Sequence, residues 1–184
     1  MAARSRPAQN RAGTALTAAA LVCLSLGGCS MESDDPRALP GTGRGETLEK
    51  MLSSFALQLP DCDVEGVRFG GESDDWRHQL LLRFRASEEC VHSYLSAHSV
   101  DFDRGLEWPS RVRGTTNGET VSPYRPPFRK EVMETFGLSM NRQVTYEHHL
   151  DFLTGNGSGC DVLVDPRGAG ETVYIVSTST PEAF

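Results

Sequence analysis

Apolar residues recur at helical spacing over Leu48, Met51, Leu52, Phe55 and Leu59, with Glu49, Lys50 and Ser53 between them. The spacing predicts an amphipathic helix from 48 to about 59, capped by Thr47 and stopped by Pro60. The period then shortens to two. Val64, Val67 and Phe69 suggest a strand that closes at Gly70-Gly71 and a polar turn, where Glu72, Asp74 and Asp75 read as a solvated tip. Residues 79–84 (QLLLRF) form a second strand, apolar on both sides in part, which suits a central position. Ser87 is a natural N-cap for a second helix, with Glu88 and Glu89 in its first turn and Val91, Tyr94 and Leu95 on its buried face. Residues 99–126 are rich in Gly, Pro, Arg and Ser and read as surface loop. A short helix follows from Phe128 to Phe136, terminated by Gly137. Alternation resumes at Val144, Tyr146, His148, Leu150 and Phe152, and two short strands at 161–164 and 173–178 close the chain. The predicted fold is α+β: a single antiparallel or mixed sheet of about five strands, with two or three helices packed on one face.

The N-terminal pattern is different. Arg4, Arg6 and Arg11 precede an apolar run from Ala15 to Leu26 with no acidic residue nearby. At 1.5 Å per residue that run makes a helix of roughly 18 Å, short of the ~30 Å hydrocarbon core. It reads as an export signal rather than a permanent span. The run ends in Leu26-Gly27-Gly28-Cys29, which resembles the lipobox of bacterial lipoproteins. The resemblance implies a signal peptide over 1–28, cleavage before Cys29, and a diacylglyceryl group on the Cys29 thiol. Residues 30–46 carry four acidic residues, two prolines and three glycines. With so little to bury, 29–46 is expected to be a flexible tether below a single domain at 47–184. The signal, the lipobox, the strand pair and helix at 64–98 and the final strand loosely resemble the small uncharacterised lipoproteins of high-GC Gram-positive bacteria. That group implies no activity.

Charge narrows the partners. Without the three arginines of the signal, fifteen basic residues face twenty-five acidic ones, a net charge near −10. A nucleic-acid partner is not expected. Outside the cytoplasm disulfides are permitted, and the domain holds Cys62, Cys90 and Cys160. Asp61-Cys62-Asp63-Val64 and Gly159-Cys160-Asp161-Val162 echo one another, each opening a strand, which favours Cys62–Cys160. A pairing through Cys90, or no bridge, are the alternatives.

Candidate chemistry is sparse. His92 lies two residues from Cys90, a spacing that turns the two side chains apart on a helix. His148 and His149 would point to opposite faces of a strand, so they do not make one metal site. No phosphate loop, zinc-protease helix motif or nucleophile elbow is present. No catalytic residue, metal or cofactor is assigned. Trp108, Arg111, Arg113, Tyr124 and Arg125, with Arg129 and Lys130 alongside, form a candidate binding patch for an envelope protein or an acidic small ligand. The expected function is a membrane-anchored extracytoplasmic lipoprotein, held by lipid on Cys29, acting as a ligand- or protein-binding module. The alternative is an extracytoplasmic hydrolase-like enzyme whose site is assembled from residues distant in sequence.

Overall fold

A computed structural model describes residues 32–73, 78–109, 114–116, 119–121, 126–139 and 144–179. The signal segment and Cys29 lie outside the described residues. Helices α1 (Leu48–Ser54), α2 (Glu88–Ala97) and α3 (Lys130–Thr135) accompany strands β1 (Glu65–Ser73), β2 (His78–Ala86), β3 (Leu106–Trp108), β4 (Gly114–Thr116), β5 (Glu119–Val121), β6 (Tyr146–Leu153), β7 (Gly159–Asp165) and β8 (Glu171–Ser179). The main sheet has six strands in the order β1-β2-β8-β7-β6-β3, all paired antiparallel, and β4-β5 is a separate pair. The fold is α+β. Among the described residues no helix is long and apolar enough to cross a membrane.

The helices do not share one face. On β2, Leu80, Leu82 and Phe84 join a core with Leu48, Met51 and Phe55, and with Val91, Tyr94 and Leu95 of α2. Leu81 between them joins Val132, Met133 and Phe136 around α3 on the other side. Strand β8 divides likewise, Val173 and Ile175 inward to α1 and α2, Tyr174 and Val176 toward α3. A strand buried on both faces reads as a continuous apolar run, and that is the run seen at Leu80–Leu82 and at 173–176. The expectation of helices on one face is therefore corrected to two covered faces.

Local signals set the element ends. Thr47 and Ser87 cap α1 and α2, each side chain accepting a backbone N–H bond. The first helix stops sooner than its periodicity predicts, because Ala56 takes a left-handed conformation (φ 47°) and turns the chain. Leu57 remains buried from the extended segment that follows. Gly137, also left-handed, ends the turn after α3 as expected. In β6 the register slips between His149 and Phe152. This bulge returns Phe152 to the α1/α2 core while Leu150 is exposed, so simple alternation fails at its last two positions.

The expected tether is folded from residue 32 onward. Ala38 bridges Phe69 in parallel, with the Leu39 N–H donating to Phe69 O (2.7 Å) and the Phe69 N–H to Arg37 O (3.1 Å). The Gly43 N–H donates to Gly71 O (3.2 Å). The segment thus covers the outer edge of β1, satisfying backbone groups that an open edge would leave exposed. Gly70, lacking a side chain, lets Leu39 and Thr42 lie against the strand. Composition failed to reveal this because the strap is held largely by backbone and polar bonds, with only Ala38 and Leu39 adding partly buried apolar contacts.

Asp35 is the polar centre of the strap. Its carboxylate accepts from the Arg37 guanidinium (3.0 and 2.8 Å), the Arg37 N–H (2.9 Å) and the Leu48 N–H at the start of α1 (3.2 Å). The Arg37 bond holds the Asp35 carboxyl well below the ordinary range, with the two backbone N–H groups adding and burial opposing. A depressed folded pKa means stability that is present above about pH 4 and lost as pH falls toward the folded value. Asp35→Ala is expected to cost about 1–3 kcal/mol at pH 7. Urea titrations at several pH values should show that deficit shrinking below pH 4. A deficit unchanged in acid would mean that the ionised carboxylate contributes nothing.

Candidate functional site

The N-terminal half of α2 lies against the start of β8, one end of β6 and the 166–170 loop. Glu88 and His92, one turn apart on α2, therefore share a face with Glu147 of β6 and Glu171 of β8. Together with Ser87 and the Gly168–Gly170 backbone they line a cavity of about 430 Å³. Glu171 is 8 % exposed, and its Oε2 has no hydrogen-bond partner among the described residues. Burial pushes the Glu171 carboxyl above its ordinary pKa, the Glu147 and Glu88 charges push the same way, and His92 opposes them.

Behind this cavity sits His149, 3 % exposed, its Nε2 3.7 Å from Glu147 Oε2 and neither ring nitrogen hydrogen-bonded among the described residues. Burial lowers its pKa; Glu147 works in the opposite direction, and His148 and His92 add to the lowering. Phe102, in the 3-10 turn Phe102–Arg104, stacks on His92 (centroids 4.2 Å apart) and meets His149 edge-on at 5.4 Å. Gly105 makes the packing feasible: a Cβ there would stand 2.9 Å from His149 Cε1.

A second concavity of about 530 Å³ runs along the other flank of α2, lined by Gln58, Asp61, Cys62, Cys90, Tyr94 and His98 among others. Its Tyr94 and His98 are committed to backbone partners. The Tyr94 hydroxyl donates to Gln58 O (2.9 Å), and His98 Nδ1 lies 2.9 Å from Leu153 O with the ring stacked on Phe152 at 4.4 Å. A carbonyl only accepts, so that His98 nitrogen carries the proton. The disulfide Cys62–Cys90, Cα atoms 6.3 Å apart, closes one end. The disulfide and these two bonds make this flank a seam, whereas the lining of the cavity at Glu171 includes a buried oxygen without a partner among the described residues.

The disulfide corrects the expected Cys62–Cys160 pairing. In the sheet order β1 and β7 are separated by β2 and β8. Three strand spacings amount to roughly 14 Å, against a Cα separation of at most about 7 Å for a bridge. The echoed sequences open strands that are not neighbours. Cys160 is instead a free, 2 % exposed core residue opposite Phe152, its thiol pushed up to about 11 by burial, with its bond to Ser177 opposing.

Of the expected binding patch, only Trp108 falls among the described residues. Trp108 is 3 % exposed and packs in the α3 core, its ring 5.4 Å from Tyr146, which it faces across the β3–β6 pairing. It is an internal residue rather than a surface anchor. Arg111, Arg113, Tyr124 and Arg125 lie outside the described residues. Arg129 is exposed at the start of α3 with no side-chain capping bond, and Lys130 stands 3.7 Å from Glu134. The two adjacent histidines do diverge. His148 faces the α3 side, 3.9 Å from Asp161, while His149 turns to the α1/α2 side.

Sequence reading missed Glu171 entirely and saw Glu88 only as a helix-dipole residue. One signal was available: Glu171 is an acidic residue opening a strand that is otherwise apolar over Val173–Val176. This chain matches no family model, and no similar curated protein or solved structure was found.

Proposed function

We propose that this protein is an extracytoplasmic lipoprotein, anchored by lipid on Cys29, whose domain acts as a ligand-binding module through the cavity at Glu171. The observation that carries the location is the Cys62–Cys90 disulfide. Such bonds persist in oxidising compartments and are rare in reducing ones. It supports export independently of the Leu26-Gly27-Gly28-Cys29 pattern, since the two features lie in different parts of the chain. Binding is favoured over catalysis because the cavity gathers acceptor groups without an activated nucleophile. The one hydroxyl among its described lining side chains, Ser87 Oγ, accepts from the Cys90 N–H to cap α2.

Intact mass spectrometry of the mature protein from its native membrane tests the anchor. The expected species begins at Cys29 and carries added diacylglyceryl mass, and Cys29→Ala releases the protein from the membrane. A soluble, unlipidated wild-type protein would refute the anchor. Maleimide labelling of the denatured protein tests the redox state. One domain thiol, Cys160, should react before reduction, and three after it. Three reactive thiols without reductant would withdraw the support for an oxidising compartment.

A further inference from the structure

Three carboxylates, Glu88, Glu147 and Glu171, line one cavity, and among the described residues no lysine or arginine lines it with them. Two arginines lie around the 166–170 loop without lining the cavity. Arg167 forms a two-pronged pair with Asp165 (2.7 and 2.6 Å). Arg85 rests its guanidinium against Gly168 but projects from β2 on the α3 side of the sheet, between Phe84 and Ala86 of the opposite core. His92 is the single basic side chain in the lining among the described residues, and its ring is held flat against Phe102.

Two features point to a positively charged ligand. Glu171 is more than nine-tenths buried, lines the cavity, and has an unpartnered Oε2. A buried carboxylate oxygen left without a hydrogen bond is costly, and native proteins satisfy such groups with a ligand, an ion or water. The second feature is the like-charge crowding of Glu147 and Glu88 around Glu171, which a cation would relieve.

We propose that this cavity receives a protonated amine carried by a small organic molecule, with Glu171 as the buried hydrogen-bond acceptor and Glu147 and Glu88 as the surrounding charge. The inference rests on reading the cavity as the binding site and adds the chemical class of its ligand. Volume and geometry favour an organic cation over a bare metal ion. About 430 Å³ is in the range of small-molecule sites. No group of three or more His, Cys, Asp or Glu side chains among the described residues is arranged to hold a metal. An ammonium group needs no fixed coordination shell, only acceptors and negative charge around three N–H donors.

The test uses the full mature chain in detergent micelles, titrated separately with 1,5-diaminopentane, glutarate, 1-pentanol and calcium chloride. Binding is followed by calorimetry and by the histidine Cε1 proton resonances. The expected result is saturable binding of the diamine that shifts His92. Glu171→Gln should weaken it about tenfold or more, Glu147→Gln should also weaken it, and Glu131→Gln on α3 should leave it unchanged. The thermal midpoint of each variant separates lost binding from lost folding. Saturation by glutarate, pentanol or calcium, with none by the diamine, overturns the amine assignment while a binding cavity stands. Diamine binding that is indifferent to Glu171→Gln also overturns it. If no probe binds, both the assignment and the reading of the cavity fall.

Discussion

Gly71→Ala is expected to cost the domain about 3–5 kcal/mol, much of the margin by which a protein of this size stays folded. Two effects combine. Gly71 sits at φ 113°, a conformation that residues with a Cβ rarely adopt. A Cβ built there would lie 1.9 Å from the Gln79 carbonyl oxygen and 2.7 Å from its carbon, atoms of the neighbouring backbone. A side chain could swing away, but Gln79 belongs to the strand that pairs with β1, where Gly71 opposes Leu80. Relief therefore means opening the β1–β2 hairpin, and with it the Gly43-to-Gly71 bond that holds the strap. Gly66→Ala is the matched control. Gly66 is also left-handed (φ 58°) yet has nothing within 4 Å of a new Cβ, so it should cost only about 1 kcal/mol. Urea unfolding of both variants decides the matter. Equal losses would show that strain at positive φ, and not the collision with Gln79, governs the hairpin.

Replacing Cys62 and Cys90 together by serine should cost about 3–4 kcal/mol, from the entropy of closing a loop across 28 residues. That loop encloses the whole of β1 and β2. The bond thus restricts the unfolded form of one supersecondary unit and also ties the segment after α1 to the first turn of α2. Reducing the wild type should reproduce most of the loss, and reductant should leave the serine variant unaffected. Stability of the wild type that is insensitive to reductant would exclude this contribution.

Much of the fold was legible because burial sets a period. Ser87 and the Val91, Tyr94 and Leu95 stripe located α2, and Gly137 located the end of the turn after α3. The doubly apolar run at Leu80–Leu82 placed β2 inside the sheet, where it pairs with β1 and β8. The errors came from features with no period. The bulge in β6 depends on its register against β7, and the pairing of Cys62 depends on strand order, neither of which is written locally. The strap looked like a linker because much of its hold on β1 is backbone bonding that any residue supplies, and its apolar contribution is only Ala38 and Leu39. The candidate site was hidden for a related reason. Its carboxylates come from positions 88, 147 and 171, each an ordinary polar residue until topology brings them together. Trp108 erred in the other direction, as an aromatic residue in a polar stretch that finds its partner, Tyr146, thirty-eight positions away.

The strap also changes how the molecule would stand on a membrane. If Cys29 carries the lipid, the slack between bilayer and folded protein is not seventeen residues but the short link from Cys29 to Glu32. Three residues span roughly 10 Å at full extension. On so short a leash an anchored domain would not roam or tumble freely above the head groups. It would be berthed, with the strap that borders β1 kept near the lipid surface and its heading largely set before any ligand arrives.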